Sequence, residues 1–276
     1  MIGWRSQDAM RGARPPAVAG TFYPDDAWTL RRMVDDYLAA GRDEVEPRGT
    51  LKAVIAPHAG YLYSGPVAGS AFAAFGDPQR IARVVVIGPS HHVAFRGLAL
   101  PPADRFTTPF GSVPIDLEAA GELRQLPQVT VDALPHAREH ALEVELPFLQ
   151  RLIGDFELVP LVVGRASPAE VAQVLDRLWG GDETRFVISS DLSHFLDYDT
   201  ARRVDAATAR TIRNLGGPLD PSQACGAAAI NGFTPLARQR GLEVSALDLR
   251  NSGDTAGGRD RVVGYGAFSF NPADGG

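Results

Sequence analysis

The sequence predicts a three-layer α/β domain with a mixed, largely parallel sheet flanked by helices. Short apolar runs rich in Val and Ile alternate along the chain with stretches of helical periodicity. Near-continuous apolar strands separated by helices are typical of parallel sheets that are buried on both faces. The chain has 276 residues, of which 45% are hydrophobic and 22% charged, which is the composition of a globular protein with a sizeable core.

The elements follow from the periodicity in chain order. The segment "PDDAWTLRRMVDDYLAAG" predicts an amphipathic helix with Leu30, Met33, Val34, Tyr37 and Leu38 on one face and with Gly41 as its stop. The runs that predict strands are 51–57, 83–89, 156–164, 184–191 and 261–270. The helical patterns that separate them fall near 65–76, 117–126, 140–153, 168–179, 199–215 and 221–239.

Some segments depart from this alternation. "DLRNSGD" and "VVGYGAFSF" are expected to add an antiparallel pair at one end of the sheet, and "RGLALPPADRFTTPFGSVPID" is expected to be an excursion over the sheet's end. We place a single domain at residues 14–270 and expect residues 1–13 and 271–276 to be loose termini.

Charge and composition argue against several classes of protein. The net charge is −6 and the basic residues are dispersed, whereas a nucleic-acid-binding surface would cluster them. No apolar run reaches the roughly 18 residues that a membrane span needs. A single cysteine provides no disulfide framework, and the first residues lack the apolar core of a signal peptide. We therefore expect a cytoplasmic protein that binds neither nucleic acid nor membrane.

Histidines follow three of the predicted strands. "AVIAPHAGY" leads to His58, "VVVIGPSHH" to His91 and His92, and "FVISSDLSH" to His194. Ligands of open α/β sheets bind beyond the carboxyl ends of the strands, so these imidazoles are expected to meet at one metal or catalytic site. Neighbouring residues in extended backbone point to opposite sides, so only one of the adjacent pair is expected to serve it.

Cys225 is a candidate fourth member of this site. In "LDPSQACGAAAING", Asp220 suits a helix N-cap and Pro221 the first helical position, which puts the cysteine in the early turns of a helix. The helix dipole there would favour the thiolate, the form that binds metal. An ordinary buried cysteine explains the same residue equally well, just as capping or core hydrogen bonding could explain any one of the histidines.

A competing motif lies at His136–His140. "HAREH" has the H-x-x-E-H spacing of one class of zinc metallopeptidase, in which both histidines share a helix face and Glu139 acts as base. The motif is short, and Pro135 suggests that its first histidine precedes the helix. No nucleophile elbow, phosphate-binding loop, dinucleotide fingerprint or CxxC accompanies it.

Six ordered motifs resemble those of the Memo family, whose prokaryotic members are called AmmeMemoRadiSam system protein B. They are "RPPAVAGTFYP", "APHAGYLYSG", "GPSHH", "EHALEVELPFLQ", "SSDLSHF" and "ACG". The resemblance covers about Arg14 to Phe270, nearly the whole chain. It implies a fold similar to that of class III extradiol ring-cleavage dioxygenases, which hold non-haem Fe(II) at the strand ends.

The resemblance also implies roles for individual residues. His58, His91 and Cys225 would hold the metal, His194 would move a proton, and Asp191 would orient a ligand or His194. The expected pocket and supporting residues are Phe22, Tyr23, Tyr61, His92, Glu139, His140 and Glu143. The dioxygenases use a carboxylate as their third ligand where this chain offers a thiol, which is softer and also admits copper or zinc. Their activity therefore does not follow from the fold.

These expectations favour a non-haem Fe(II) oxygenase or redox enzyme acting on a small, aromatic or phenolic substrate. A non-catalytic module that binds a metal or a peptide in the same pocket is the first alternative, and a zinc hydrolase is the second. The family name further implies a functional link to AMMECR-domain and radical SAM proteins. The sequence leaves the oligomeric state, the substrate and the native metal open.

Overall fold

The structure is a computed structural model that describes residues 12–45, 51–76, 78 and 80–273. The strands within these residues are β1 Ala13–Arg14, β2 Ala53–Ala56, β3 Arg83–Pro89, β4 Leu98–Leu100, β5 Arg105–Thr108, β6 Gly111–Pro114, β7 Val129–Val131, β8 Glu157–Val163, β9 Thr184–Ser189, β10 His194–Leu196, β11 Leu242–Asn251 and β12 Val262–Pro272. The α-helices are α1 Ala27–Glu44, α2 Tyr61–Ala73, α3 Leu117–Leu123, α4 Leu134–Ala137, α5 Leu146–Leu152, α6 Pro168–Arg177, α7 Tyr198–Arg213, α8 Ala227–Gln239 and α9 Ser252–Thr255.

A nine-stranded mixed sheet forms the middle of the fold. Its order is β10-β12-β2-β9-β3-β8-β4-β7, and β11 pairs with β12. The neighbours β2, β9, β3 and β8 run parallel to one another, whereas β12 joins β2 and β4 joins β8 in antiparallel pairs. The parallel strands are the predicted Val/Ile runs, so the mixed, largely parallel sheet is confirmed.

Helices cover both faces of this sheet. Alternate side chains of one strand enter opposite layers. Val84 and Val86 of β3 pack in the layer that contains α1, α2 and α5, whereas Val85 and Ile87 pack in the layer that contains α3, α6 and α8. All four of these side chains are fully buried. The three-layer architecture that the sequence predicts is therefore present.

Gly41 does not end the first helix, contrary to expectation. Helix α1 continues to Glu44, and Gly41 is buried within it. A Cβ at this position would lie 2.5 Å from the carbonyl oxygen of Gly69 in α2, and a Cβ at Gly69 would lie 2.3 Å from the carbonyl oxygen of Tyr37. These glycines are needed because the backbones of α1 and α2 come into contact.

The segment expected to be an excursion is divided between two sheets. Leu98–Leu100 joins the main sheet beside β8, because all three residues are apolar and completely buried. Strands β5 and β6 form a hairpin that leaves this sheet and pairs with β1. The expected antiparallel pair at the other end is confirmed, since β11 runs antiparallel to β12 along its length.

The expected loose termini lie mostly outside the described residues. Of residues 1–13, only residues 12 and 13 are described, and Ala13 already pairs in β1 with Arg105. Of residues 271–276, Asn271 and Pro272 complete β12 and residues 274–276 are not described. In the described part of the chain, no helix is both long enough and apolar enough to cross a membrane.

Candidate metal centre

The candidate site lies at the carboxyl ends of three adjacent strands. His58 follows β2, Asp191 follows β9 and His91 follows β3, and these strands are neighbours in the order β2-β9-β3. Pro57 stands just beyond β2 and Pro89 is the last residue of β3, so both histidines leave the sheet at its rim. The sheet order therefore brings together residues that are far apart in the sequence.

His58, His91 and Cys225 form a compact group of potential metal ligands. One ligand atom from each of these residues lies within 4.8 Å of the others. The sulfur of Cys225 is 3.2 Å from Nε2 of His58, and the His58 and His91 ring centroids are 5.1 Å apart. A cation with N and S ligands at roughly 2.0–2.3 Å in tetrahedral geometry holds its ligand atoms about 3.5 Å from one another. The group therefore has the dimensions of a single-ion site.

Hydrogen bonds orient the ring of His58 with Nε2 toward Cys225. Its Nδ1 lies 2.6 Å from the hydroxyl of Ser189, which itself donates to the carbonyl of Ala141 at 2.7 Å. A serine hydroxyl has one proton, so Ser189 accepts from Nδ1–H and the Nε2 lone pair faces the sulfur of Cys225 at 3.2 Å. Burial lowers the pKa of His58 to about 3, with the nearby His91 adding to the shift. The imidazole is neutral, as a metal ligand must be.

Glu139 orients His91 in a similar way. The buried carboxylate accepts from the backbone N–H of His91 at 2.6 Å and from its Nδ1 at 2.8 Å. Burial alone would raise the pKa of Glu139, but its hydrogen bonds to His91 outweigh this effect and the pKa is lowered to about 2. Since an ionised carboxylate only accepts, Nδ1 carries the proton and Nε2 is the free ligand atom. A carboxylate behind a histidine is the usual support for a metal ligand.

Cys225 precedes its helix and does not lie within it, contrary to expectation. Helix α8 begins at Ala227 with Gly226 as N-cap. Burial raises the pKa of the Cys225 thiol to about 12, and the charge of Asp191 adds to the shift, so the expected thiolate-favouring effect of the helix dipole does not prevail. The backbone N–H of Asp191 donates to Sγ at 3.3 Å and helps to hold the sulfur in place.

The pairing of Cys225 with His58 suits a cation better than a nucleophile. A reactive cysteine needs a lowered thiol pKa and a basic histidine, and here burial shifts both pKa values the other way. A bound cation reverses this balance, because it deprotonates a coordinating thiol outright. A positive ion held by the sulfur and the two Nε2 atoms would therefore make the arrangement chemically complete.

Asp191 and His194 lie beside this group. One carboxylate oxygen of Asp191 accepts from the backbone N–H of His58 at 2.8 Å, so this residue fixes the backbone of an expected ligand. Burial raises the pKa of Asp191, and the nearby His194 opposes the shift. Nδ1 of His194 donates to the carbonyl of Leu192 at 2.8 Å, which leaves its Nε2 free to exchange a proton.

His140 and Phe22 form an aromatic wall next to His91. The His140 ring stacks on His91 at a centroid distance of 4.6 Å, and Phe22 packs against His140 at 4.7 Å. Burial lowers the pKa of His140 to about 3. Together with His91 and Glu139, His140 makes a second group whose ligand atoms lie within 4.8 Å of one another. His92 is exposed, and its ring centroid is 6.2 Å from that of His140.

Tyr23 was expected to line the pocket and Tyr61 to be a pocket or supporting residue, and both side chains are buried in the core. The hydroxyl of Tyr23 donates to Glu143 at 2.5 Å, and the hydroxyl of Tyr61 donates to the carbonyl of Val144 at 2.6 Å. Only 3% of Tyr23 and 2% of Tyr61 is exposed. Their positions in the sequence are adjacent to the site, but their hydroxyls are held by buried hydrogen-bond partners in the core.

Glu143 anchors the segment that carries Phe22. The carboxylate is fully buried and pairs with Arg14, and it accepts from the backbone N–H of Ala17 at 2.7 Å and from that of Val18 at 3.1 Å. Arg14 in turn donates to the carbonyl oxygens of His136 and Glu139. The predicted supporting role of Glu143 therefore has a specific form, which is to join the N-terminal segment to the Glu139 loop.

The H-x-x-E-H motif does not form the helical site that its spacing suggests. Helix α4 ends at Ala137, so His136 and His140 do not share a helix face. Nε2 of the buried His136 bonds to the carbonyl of Ala99 at 2.9 Å, and among the described residues no group of potential ligands includes His136. Glu139 is already bound to His91. The metallopeptidase arrangement is therefore not present.

Two residues behind the site were missed by the sequence analysis. Ser189 ends β9 and sets the orientation of His58, but a serine in an apolar strand gives no distinguishing signal. Glu145 is fully buried beside Ser189, and neither of its carboxyl oxygens meets a partner with hydrogen-bond geometry among the described residues. Burial raises the pKa of Glu145 well above its ordinary value, so this carboxyl is neutral.

The neutral Glu145 predicts a pH dependence of stability. Above pH 4.5, the ordinary pKa of the group, the unfolded chain releases this proton while the folded protein keeps it, so the free energy of unfolding decreases with rising pH. Glu145→Gln removes this dependence. Urea denaturation measures the free energy of unfolding of both proteins. Between about pH 5 and about pH 8, the value for the variant relative to that of the unsubstituted protein should rise by more than about 1 kcal/mol. If the difference in the free energy of unfolding between the two proteins stayed constant over this pH range, Glu145 would not be neutral in the folded protein.

Comparisons with known proteins show the family to which this chain is similar. The family model described as Memo-like protein matches residues 14–269. A MEMO1 family protein of Ignicoccus hospitalis is 35% identical, over 93% of this chain and 98% of the relative. A MEMO1 family protein of Aquifex aeolicus is 34% identical, over 91% of this chain and 97% of the relative. One of Archaeoglobus fulgidus is 31% identical, over 93% of this chain and 99% of the relative.

A solved structure supports the fold. The crystal structure of an uncharacterized protein from Escherichia coli K12 matches with a TM-score of 0.52 at 16% identity, over 80% of this chain and 100% of that one. At this identity, the similarity concerns the fold alone.

Proposed function

Since the chain belongs to the Memo-like protein family, we propose that it binds one metal ion through His58, His91 and Cys225 and, with Fe(II), oxidises a small aromatic or phenolic substrate. One observation carries the metal site: the ligand atoms of these three residues lie within 4.8 Å of one another. The hydrogen bonds of Ser189 and Glu139 support it, because they leave Nε2 of each imidazole free for the ion.

The chemistry of the donor set fits a transition metal. Two imidazoles and a cysteine suit iron, copper or zinc and are poor ligands for magnesium or calcium. The buried thiol would lose its proton to the solvent as the ion binds, so metal affinity is expected to rise with pH. Bound Fe(II) with open coordination positions would supply the activation of O₂ and of an ionised phenol.

The surrounding residues would provide substrate positioning and proton transfer. His140 and Phe22, whose rings are tilted by 53° to each other, form an aromatic wall against which a ring can pack. Nε2 of His194 would take the phenolic proton, because Nδ1 is held as a donor by the Leu192 carbonyl. Asp191 would keep the backbone of His58 in position and influence His194 through its charge.

Oxygen uptake tests the enzymatic part of the proposal. Protein loaded anaerobically with Fe(II) is expected to consume O₂ with at least one member of a panel of phenols and catechols. His194→Gln should lower this rate by about 10²–10⁴-fold while leaving the metal affinity unchanged, because the residue moves a proton and holds no metal. Absence of uptake by iron-loaded protein across the panel would contradict an oxygenase.

A metal-handling role is the second candidate, and the thiol of Cys225 favours it. Sulfur is the ligand that Cu(I) prefers, and a buried, hydrogen-bonded cysteine is suited to holding the ion. This function predicts tight Cu(I) binding with no oxygen consumption on the same panel. Substrate-dependent turnover by the iron form would decide in favour of the enzyme.

A further inference from the structure

A cavity of about 490 Å³ lies next to the candidate metal centre. It is enclosed by the loop after β3, the end of β8 and the start of α8, and it includes Cys225 and Gly226 in its lining. Ser90, which immediately precedes His91, also lines it. Cavities of this size accommodate small organic ligands. A molecule bound here would have one end beside the sulfur of the metal group.

Two arginines, Arg96 and Arg165, line the same cavity. They are partners in an isolated β-bridge between the loop after β3 and the end of β8, which the hydrogen bond from the Arg165 N–H to the carbonyl of Phe95 supports at 2.8 Å. Like charges at paired positions repel each other. Within the described part of the chain, neither guanidinium forms an ion pair that would offset this repulsion.

No acidic residue among those lining the cavity is available to these arginines. Glu170 lies near Arg96, but the two form no ion pair in the described part of the chain, and Oε2 of Glu170 accepts from the backbone N–H and hydroxyl of Ser167, at 2.7 and 2.8 Å, in the capping box of α6. The protein has a net charge of −6, so two arginines without an ion pair among the described residues are not a result of excess basic residues.

The rest of the cavity wall is mainly apolar. Val93 and Phe95 contribute one side, and Ala228 and Ala229 of the first turn of α8 contribute another. The lining thus combines small and apolar side chains with two solvent-exposed arginines, and it leads to Cys225. This distribution matches an amphipathic molecule with an apolar body and one oxyanionic end.

We propose that this cavity binds the oxyanionic end of the substrate, a carboxylate or phosphate group, through Arg96 and Arg165. Guanidinium groups bind planar or tetrahedral oxyanions through paired N–H···O bonds, and an anion between them removes their mutual repulsion. The inference rests on the proposed function in assigning the ligand as substrate. It narrows the substrate class to aromatic or phenolic acids and phosphate esters.

Calorimetric titration of the metal-free protein tests the arginines separately from the metal. The probes are 3-(4-hydroxyphenyl)propanoate, its neutral amide, and 2-(4-hydroxyphenyl)ethyl phosphate. We expect the acid or the phosphate ester to bind at least about tenfold more tightly than the amide, since hydrogen bonds to charged groups are worth about that factor. Arg96→Gln and Arg165→Gln should each lower the affinity for the anionic probe about tenfold. The double variant should bind the anionic probes no more tightly than the amide.

Arg213→Gln is the matched control, because Arg213 lies in the last turn of α7 and is not among the residues that line the cavity. This variant should bind all three probes as the unsubstituted protein does. A tighter complex with the acid identifies a carboxylate, and a tighter complex with the ester identifies a phosphate. Equal binding of all three probes, or a preference for anions that survives the double substitution, would overturn the inference.

Metal titration of the same variants separates the two proposals. Arg96→Gln and Arg165→Gln should keep full metal affinity, and His58→Ala should keep the preference for anionic probes. Failure of the unsubstituted protein to bind metal, together with an intact preference for anions, would contradict the proposed function alone. Intact metal binding without that preference would contradict the arginine inference alone.

Discussion

His58→Ala is expected to abolish stoichiometric metal binding. The substitution removes one of three ligand atoms that lie within 4.8 Å of one another, and the remaining pair cannot enclose the ion. Removing only a hydrogen-bond partner behind a metal ligand typically costs about 10–100-fold in affinity, so loss of the ligand itself should cost more. Competition titration with Zn²⁺ or Fe²⁺ measures this. Glu139→Gln should show the smaller loss, because it leaves Nε2 of His91 in place.

His92→Ala is the matched control for this series. His92 is exposed next to His91 and belongs to neither group of potential ligands among the described residues. Removal of the His92 side chain should leave the affinity for metal and the metal stoichiometry unchanged. His136→Gln distinguishes the proposed site from a zinc metallopeptidase site, because His136 is a ligand only in the latter. This variant should therefore also bind metal with full affinity. Retention of full affinity by His58→Ala, or its loss in His136→Gln, would contradict the proposed ligand set.

Glu143→Gln is expected to lower the free energy of unfolding by about 3–5 kcal/mol, the usual cost of removing one partner of a buried ion pair. The carboxylate is completely buried and accepts from Arg14, from the hydroxyl of Tyr23 and from two backbone N–H groups. The amide removes the negative charge and brings two N–H donors to a place already filled with donors. Urea denaturation monitored by circular dichroism measures the difference.

Glu122→Gln provides the control for this loss of charge. Glu122 is exposed on α3, where such a substitution typically changes stability by less than about 0.5 kcal/mol. If Glu143→Gln destabilised the protein as little as Glu122→Gln does, then Glu143 would not anchor the N-terminal segment. The expected loss would also displace Phe22, which the same segment holds against His140.

The sequence predicted the sheet and its two helical layers because the relevant signals are local. Val84–Ile87 and the runs like it are apolar at every position, which identifies strands covered on both faces. Gly41 was misinterpreted because a glycine that ends a helix and a glycine that lets another helix approach look identical along the chain. The structure distinguishes them through the backbone of Gly69, 28 positions away in the sequence.

The site was predicted in part, for a similar reason. Strand ends followed by His58 and His91 indicated a shared rim, and the sheet order β2-β9-β3 makes those ends adjacent. The directions of Tyr23 and Tyr61 could not be predicted, since each depends on where a buried acceptor lies in three dimensions. The position of Cys225 before α8 was missed because the capping signals at Asp220 and Pro221 fit a helix start, but residues 221–223 form a turn.

X-ray absorption spectroscopy of the Zn²⁺-loaded protein shows whether His58, His91 and Cys225 share one cation. A shared cation predicts one sulfur at about 2.3 Å together with imidazole nitrogens at about 2.0–2.1 Å, and loss of the sulfur contribution in Cys225→Ser. A spectrum with only nitrogen and oxygen ligands, or one that Cys225→Ser leaves unchanged, would contradict it.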